Sequence, residues 1–598
     1  MEASAVLFGL RLWASVCLAL YTAFWLQLHD PYWAATSAGI VAQTGLGASL
    51  RKGRFRAIGT VIGGIAIVIL IAVFPQNHGA LLVSLAFWGA ACGFFATILP
   101  NFGGYAAALA GYTTAIVFSD IVSNPQNVFM LAVWRVSEIG IGILCAVLVH
   151  SLTDLGHARE RLARALEDIG RAIASGLTRT LQPGCDWEQL RTARRELVQR
   201  VIALDATIDE AVGEPSNLPR HAGVLYSARE ALFVGLSAWG GIANHLAALP
   251  REQATEIDAV SSRLVVDGTL RAHQALERVT NAIALASGSV AGPPSRGRAR
   301  SQVPDVLPPV LNAARILLAL LFAEVFWVVT EWPDGPTLIT FTAVGVILFS
   351  ARAEAAFASA VEFAIGCTGA GVVAIILDLA ILPAVPSDFL SLALVLSLAL
   401  LPLGILAAGS WHKAAFGAMV TNVMPILAIQ NDPSYEATQI LNTALAISAG
   451  TALAATAIWL IPPLSATKRS QRLLALTLRD LRGLLVGRRR ITESMWIRLA
   501  SQRLAAMPTQ ASLEETAHLL AALSVGQAAI ALLEARGEVP ASGALDQALA
   551  ELAEANVVAA REKLIWFSTH QSGMQAAVQA TLIADALGRH PLFFSQMG

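Results

Sequence analysis

The chain has 598 residues, of which 55% are hydrophobic and only 14% are charged, and its formal net charge is −1. In a soluble protein of this length roughly a quarter of the residues are charged. The composition therefore excludes an ordinary soluble domain and favours an integral membrane protein. The near-zero net charge gives no indication of a nucleic-acid partner, and the five scattered cysteines have neither metal-site nor disulfide spacing.

The first half of the chain contains six apolar stretches separated by turn residues. Residues 57–99 hold no Asp, Glu, Lys or Arg, and the turn-forming residues 75–79 divide them into two parts. Since a helix needs about 20 apolar residues to cross the hydrocarbon layer, this segment predicts two crossings. The first stretch begins at Arg11 and has no small-residue cleavage site after it, so we expect a retained span. The six predicted spans are about residues 12–28, 34–50, 57–74, 80–98, 103–119 and 128–149.

Residues 151–305 change to an amphipathic pattern. Leu162, Leu166 and Ile169 recur at helical spacing with charged residues between them, which predicts one helix of a bundle. The basic stretch 292–300 then leads back to the membrane, and its arginines either form a positive flank or bind a partner. Residues 464–598 return to the amphipathic pattern. Six more predicted spans lie between these two amphipathic regions, at about residues 310–330, 336–351, 357–380, 389–409, 414–430 and 437–461.

The predicted architecture is an all-α integral membrane protein with two transmembrane blocks, each followed by a cytoplasmic helical bundle. The blocks are residues 1–150 and 306–463, and the bundles are residues 151–305 and 464–598. Lys and Arg are concentrated in the turns on one side of the predicted membrane, such as residues 51–56, whereas the six turns on the other side contain none. Positively charged turns face the cytoplasm, so we expect both termini and both bundles there.

The two blocks carry signs of an internal repeat. Pro31 and Pro333 occupy the turn after the first span of each half, and Gly64 and Gly366 share the same offset of 302 residues. An even number of spans in each half makes the two copies parallel, related by an axis along the membrane normal. Such repeats are typical of secondary transporters.

A motif in residues 30–64 links the chain to a known family. It consists of Asp30, Pro31, Tyr32, Trp33, Gly45, Gly47, Arg56, Gly59, Thr60 and Gly64. The motif closely resembles the signature of the fusaric acid resistance (FUSC) family, which includes the aromatic carboxylic acid efflux pumps, and the order of membrane blocks and helical bundles is also similar. The second half keeps the motif only loosely, because residues 352–356 differ from the basic stretch of the first half.

The resemblance implies an inner-membrane exporter of small, aromatic organic acids in a Gram-negative bacterium, driven by the proton gradient. Implied partners are the organic acid, the lipid bilayer, a periplasmic adaptor and an outer-membrane channel. Assembly with further copies of the same chain is an additional alternative. Plant malate channels are distant relatives, so an anion channel is one alternative; a non-transporting membrane scaffold for envelope maintenance is another. The sequence has no phosphate-binding loop, catalytic triad or histidine ligand spacing, so we expect no enzymatic activity, cofactor or metal.

Ionisable side chains inside the predicted spans are the candidates for function, because a charge in the membrane is costly. Glu138, Glu324 and Glu362 are the proton-coupling candidates, and Asp378 lies near the end of its span. We hypothesise that Glu138 and Glu324 face a central cavity, because a carboxyl group in an apolar cavity holds its proton more tightly than one in water. Arg135 lies three residues before Glu138, so the two either form a structural ion pair or act in transport.

Cationic and aromatic residues are the candidates for binding an anionic aromatic substrate. They are Arg135, Arg11, Arg315 and Trp33. Arg11 and Arg315 open the first span of each half, where snorkelling to the cytoplasmic interface also explains them. An interfacial aromatic belt is the alternative for Trp33, and close helix contact is the alternative for the motif glycines.

Overall fold

The structure is a computed structural model that describes residues 3–99, 101–122, 127–154, 156–214, 216, 218–249, 259–288, 305–431, 435–536, 542–571 and 574–597. Across these residues the chain forms helices joined by turns and contains no strand, so the all-α prediction is confirmed. The predicted basic stretch 292–300 lies outside the described residues. The chain divides into two compact units.

The helices alternate between the two units along the chain. The first unit contains α1 (Ala3–Trp25), α2 (Pro31–Val41), α3 (Leu46–Val73), α4 (His78–Ile98), α5 (Asn101–Ile121) and α6 (Val128–Thr153). The second unit follows with α7 (Ala158–Thr180), α8 (Trp187–Gly213), α9 (Leu218–Ala248) and α10 (Ala259–Ser287). The first unit resumes with α11 (Leu307–Thr330), α12 (Gly335–Ser350), α13 (Ala356–Ile376), α14 (Phe389–Ala408), α15 (Lys413–Leu427) and α16 (Ala437–Leu460). The second unit ends with α17 (Ala466–Leu485), α18 (Glu493–Ala505), α19 (Leu513–Ala535), α20 (Ser542–Ala553), α21 (Val557–His570), α22 (Gln575–Arg589) and α23 (Pro591–Phe594).

The first unit is a multi-pass membrane domain. Among its described residues, the helices α1, α3, α4, α6, α11, α13, α14 and α16 are long and apolar enough to cross a membrane. Only 33% to 44% of their apolar windows is buried inside the protein. The outward faces carry large apolar side chains, such as Leu144, Phe322 and Val329, which are 68%, 59% and 77% exposed. Contiguous apolar surface of this kind is stable against lipid.

Two sequence predictions near the start of the chain are wrong. A single span over residues 34–50 was expected, but α2 has only 11 residues, about 16 Å at 1.5 Å per residue, which is too short to cross. The helical conformation ends at Ala42 and resumes after Gly45, and these two residues have ψ angles of 120° and 144°. The helix α3 then begins at Leu46, so the basic stretch 51–56 is part of a 28-residue helix rather than a turn.

Corresponding helices of the two halves make corresponding contacts in the first unit. The helix α3 packs on α5 as α13 packs on α15, and α2 packs on α6 as α12 packs on α16. Contacts between the halves also match, because α1 packs on α14 and α11 packs on α4. These contacts interleave the two halves in one domain. The parallel orientation of the two copies stays a prediction.

Glycines allow the closest helix contacts of the first unit. A Cβ atom added to Gly142 of α6 would lie 2.1 Å from the carbonyl oxygen of Ala34 on α2. A Cβ atom added to the motif residue Gly59 of α3 would lie 2.5 Å from the carbonyl oxygen of Ala106 on α5. Small residues are enriched where membrane helices approach this closely. These contacts give the two glycines a structural role.

Gly142→Ala is expected to destabilise the protein by about 1–3 kcal/mol, because the added methyl group separates α6 from α2. The measurement is the thermal unfolding of the purified full-length protein in detergent. Gly140→Ala is the matched control on the same helix, since an added Cβ there meets nothing within 4 Å in the described part of the chain. Equal melting temperatures for the two variants would contradict the close contact between α6 and α2.

The second unit is an amphipathic helical bundle. Leu162, Leu166 and Ile169 of α7 are at most 2% exposed, as their spacing predicts, and α7 packs on α9 and α10. The helices α9 and α19 are also long and apolar enough to cross a membrane, but 61% of their apolar windows is buried. We therefore interpret them as the central helices of this bundle. The boundaries of the four predicted segments stay a prediction.

Candidate transport site

A buried cluster of charged residues joins α2, α5 and α6. Arg135 Nη1 donates a hydrogen bond of 3.0 Å to Glu138 Oε2, and Arg135 Nη2 donates to Asp30 Oδ2 at 3.3 Å and to Asp120 Oδ2. The backbone N–H of Asp30 donates to Glu138 Oε1 at 2.8 Å. Asp30 precedes the first turn of α2, and the three-residue spacing places Arg135 and Glu138 on one face of α6. We call Arg135, Glu138, Asp30 and Asp120 the carboxylate cluster.

The carboxylate cluster contains three carboxyl groups for one guanidinium group. Arg135 and Glu138 are 2% and 1% exposed, so water screens their charges only weakly. The Nδ1 atom of His29 lies 3.2 Å from Asp30 Oδ2 and adds a further titratable group. Several like charges this close raise the electrostatic free energy when all are ionised. The cluster is therefore chemically suited to take up, share and release a proton.

Trp33 covers the guanidinium group of the cluster. The Cζ atom of Arg135 lies 4.4 Å from the centroid of the Trp33 ring, within the range of a cation–π interaction. The Trp33 side chain is buried, so it is not part of an exposed aromatic belt. The structure thus brings together the predicted residues Arg135, Glu138 and Trp33. Sequence reasoning missed Asp120, because this carboxylate lies directly after the predicted fifth span and was assigned to a turn.

Glu324 lies apart from the cluster, six residues before the end of α11. Its side chain is buried, and its Oε1 atom has no hydrogen-bond partner among the described residues. The adjacent Ala323 belongs to an apolar cluster that includes Leu85 and Ile339. Burial of an unpaired carboxylate costs far more free energy than burial of a neutral carboxyl group. Gain or loss of a proton at Glu324 therefore changes the free energy of this region strongly.

A second buried cation lies near the other end of α5. Arg56 of α3 is 1% exposed, and it donates hydrogen bonds to Ser37 Oγ at 3.1 Å and to Tyr105 Oη at 3.3 Å. The ammonium group of Lys52 lies 5.9 Å from the centroid of the Tyr105 ring, and Arg352 is within electrostatic range of Lys52. We call Arg56, Lys52, Tyr105 and Ser37 the cationic site.

The cationic site is complementary to an anion. Within the described residues, neither Arg56 nor Lys52 forms an ion pair with a carboxylate, and the hydrogen-bond acceptors of Arg56 are neutral hydroxyl groups. A buried guanidinium group forms its strongest hydrogen bonds with a carboxylate or phosphate. Sequence reasoning identified Arg56 only as a motif residue. The signal was its position directly before the charge-free residues 57–99, but Tyr105 is 49 residues away and could not be paired with it.

Arg11 and Arg315 make equivalent contacts in the two halves. Arg11 Nη2 donates a hydrogen bond to the carbonyl oxygen of Thr153 at the end of α6. Arg315 Nε donates to the carbonyl oxygen of Ile461 just after α16, at 2.6 Å, and Arg315 Nη1 donates to Asn312 at 2.7 Å. Cations stabilise the carboxyl ends of helices. Each arginine therefore holds the first helix of its half to the last, and substrate binding by Arg11 and Arg315 stays a prediction.

A cavity of about 470 Å³ opens between the end of α1, the start of α14 and the end of α15. Phe24 and Phe389 provide aromatic lining, and Asp378 and Asp388 provide carboxyl groups. Asp378 lies in the π-helical segment Leu377–Ile381, a geometry that is frequent at functional sites. The volume is in the range of small-molecule sites.

Glu362 does not join either buried site. Its side chain on α13 is 37% exposed, and its Oε1 atom lies 3.5 Å from His412 Nδ1. Neither Glu138 nor Glu324 is among the residues that line the 470 Å³ cavity. The shared central cavity for these two carboxyl groups stays a prediction.

Sequence comparison identifies the family. The sequence profile described as "Fusaric acid resistance protein family" matches residues 5–281 and 260–588. The chain belongs to the fusaric acid resistance protein family. Similar proteins include the p-hydroxybenzoic acid efflux pump subunit AaeB of Musicola paradisiaca, 23% identical over 532 residues that cover 78% of this chain and 77% of that protein. The protein of the same name from Escherichia coli O9:H4 is 26% identical over 501 residues, which cover 76% of this chain and 75% of that protein.

These findings confirm the resemblance seen in residues 30–64 and make this FUSC protein a membrane efflux transporter. The names of the family and of its relatives indicate a transporter rather than an enzyme. The motif residues occupy three structural settings in this family member. Asp30 belongs to the carboxylate cluster, and Trp33 covers it. Pro31 and Tyr32 lie in the same first turn of α2 as Trp33. Arg56 is in the cationic site, and Gly45, Gly47, Gly59, Thr60 and Gly64 lie before or within α3.

Proposed function

We propose that this protein exports small aromatic organic acids across a bacterial inner membrane, with both termini in the cytoplasm, and that the proton gradient drives the export. The observation that carries the proposal is the cationic site, where a buried guanidinium group has only neutral hydrogen-bond acceptors among the described residues. The names of the relatives, p-hydroxybenzoic acid efflux pump subunits, support the same substrate class.

The cationic site is suited to both parts of an aromatic acid. The substrate carboxylate would accept hydrogen bonds from Arg56 and be attracted by Lys52, and such charge-assisted bonds are about twice as strong as neutral ones. The ring of the substrate would pack against Tyr105 in an offset or edge-on arrangement. The positive-inside pattern of the sequence predicts that this end of α3 and α5 faces the cytoplasm. The acid would therefore bind from the side on which it accumulates.

The carboxyl groups provide the route for the coupled proton. Asp120 lies near the end of α5, whereas Tyr105 lies near its start, so the carboxylate cluster is at the predicted periplasmic end. Protons from the periplasm would reach the cluster and Glu324, and their release to the cytoplasm would accompany export of the acid. The cavity lined by Asp378 and Asp388 opens at the same predicted end, where its negative charges would oppose rebinding of a released anion.

We further propose that the protein acts as one subunit of a larger pump. Its relatives are named pump subunits, and the family resemblance implies a periplasmic adaptor and an outer-membrane channel. Mild detergent extraction followed by affinity purification of the tagged full chain tests this. Co-purification of a membrane-anchored periplasmic protein is expected, and recovery of the chain as a lone monomer with full export activity would contradict the proposal.

Arg56→Gln is expected to raise the KM for 4-hydroxybenzoate export about 10- to 100-fold, because hydrogen bonds to charged groups contribute about 1.5–3 kcal/mol. The variant is expected to fold, since no ion-paired carboxylate in the described residues loses its cation. Arg54→Gln is the matched control, because Arg54 is an exposed arginine on the same helix. Equal KM values for Arg56→Gln and the control would overturn the role of the cationic site.

A further inference from the structure

Four arginine side chains meet at a small cavity in the second unit. The cavity has a volume of about 80 Å³ and lies between α8, α9, α19 and α22. Its positively charged or titratable basic residues are Arg191, Arg194, Arg195, Arg589 and His590. Hydroxyl and amide groups come from Ser237, Asn244, Thr516 and Ser524, and apolar side chains such as Leu236, Leu520 and Leu582 form the rest of the lining.

Carboxylates balance only a small part of this charge. Arg191 forms a salt bridge of 3.1 Å with Glu188. Asp585 also lines the cavity, but its Oδ2 atom lies 2.7 Å from His245 Nδ1. The other three arginines form no ion pair with a carboxylate in the described part of the chain. The cavity therefore carries an excess of positive charge.

Arg194 is half-buried and lies beside an aromatic ring. Its guanidinium group lies 5.9 Å from the centroid of the Trp239 ring, and its Nη1 atom lies 3.4 Å from the position of a Cβ atom at Gly240. Burial and the neighbouring arginines lower the pKa of Arg194 to about 10. Burial, with the charges of nearby basic residues, lowers the pKa of His590 to about 4. Both shifts reflect a site in which further positive charge is unfavourable and an anion is favourable.

We propose that this cavity binds a phosphate group, either as inorganic phosphate or as the phosphoryl group of a cellular metabolite. Arginine guanidinium groups match the geometry of phosphate oxygens in two-point hydrogen bonds. The volume of about 80 Å³ holds a compact tetrahedral anion but not a substituted benzoate, so the site is distinct from the cationic site. Binding would join α8 and α9 to α19 and α22, and thereby link the two sequence segments of the bundle.

Direct binding to the purified full-length protein in detergent tests the proposal at constant ionic strength. The probes are inorganic phosphate and glycerol phosphate, titrated by calorimetry. Saturable binding is expected, at least about tenfold weaker in Arg194→Gln and unchanged in Arg164→Gln, an exposed arginine that pairs with Glu160. Binding of phosphate alone would assign the site to the free ion, and binding of both probes would assign it to phosphorylated metabolites.

Two results would overturn the proposal. One is the absence of saturable binding for both probes. The other is equal affinity in the wild-type protein and in the double variant Arg194→Gln/Arg195→Gln. Thermal unfolding without phosphate checks that the variants are folded, because loss of the contact between Arg194 and Trp239 is expected to lower the melting temperature only slightly.

Discussion

Glu324→Gln is expected to reduce proton-driven export to below about a tenth of the wild-type rate, because an intramembrane carboxyl group that loads and releases the coupled proton cannot be replaced by an amide. Glutamine has nearly the same size, and the Oε1 atom of Glu324 has no hydrogen-bond partner in the described residues. The variant should therefore fold and reach the membrane at normal levels. The measurement is export of 4-hydroxybenzoate at several external pH values.

Glu331→Gln is the control for this experiment, since Glu331 is an exposed residue that caps the same helix. The control should keep the wild-type pH dependence. Glu138→Gln is the companion variant and is expected to alter the pH dependence through the carboxylate cluster. Full, pH-dependent export by both Glu138→Gln and Glu324→Gln, at normal protein levels, would refute the proposed proton route.

Arg135→Gln is expected to destabilise the protein by about 3–5 kcal/mol, because removal of one partner leaves buried charges uncompensated. Arg135 is the guanidinium group shared by Asp30, Asp120 and Glu138. The measurements are the amount of folded protein in the membrane and its melting temperature in detergent. Arg135→Gln/Glu138→Gln should recover part of the loss, since it removes one of the three carboxylates.

Arg54→Gln also serves as the control for this variant, because it removes an arginine from an exposed position of the first unit. A melting temperature of Arg135→Gln equal to that of this control would show that the carboxylate cluster does not hold α2, α5 and α6 together. The comparison of Arg135→Gln with Arg54→Gln therefore measures the structural contribution of Arg135, whereas the export assay of Glu138→Gln measures the transport role of Glu138.

The membrane architecture follows largely from the length of the apolar stretches. A charge-free segment such as residues 57–99 permits few solutions other than two membrane helices and a turn. The break at residues 42–45 was missed because apolar residues lie on both sides of it. Gly45 was recognised as a motif residue, but the backbone N–H of the next residue, Leu46, donates a hydrogen bond to Asp154, which is 108 positions away and could not be paired with it from the sequence.

The candidate sites were predictable only where their residues are neighbours in sequence. Arg135 and Glu138 are three residues apart, so their pairing on one helix face could be expected. Arg135 and Asp30 are separated by 105 positions in the sequence, and Arg56 and Tyr105 are separated by 49 positions. No local sequence pattern encodes these two contacts. The same reason applies to Arg315, for which the sequence left substrate binding and snorkelling to the cytoplasmic interface as alternatives, and which is fully buried against the end of α16.

Uptake of labelled 4-hydroxybenzoate into inverted membrane vesicles that contain the protein tests the central claim most directly. With an imposed proton gradient, the account predicts accumulation that stops on addition of an uncoupler and is strongly reduced in Arg56→Gln vesicles. Flux of the acid that is independent of the gradient, as an anion channel would give, would contradict proton-driven export.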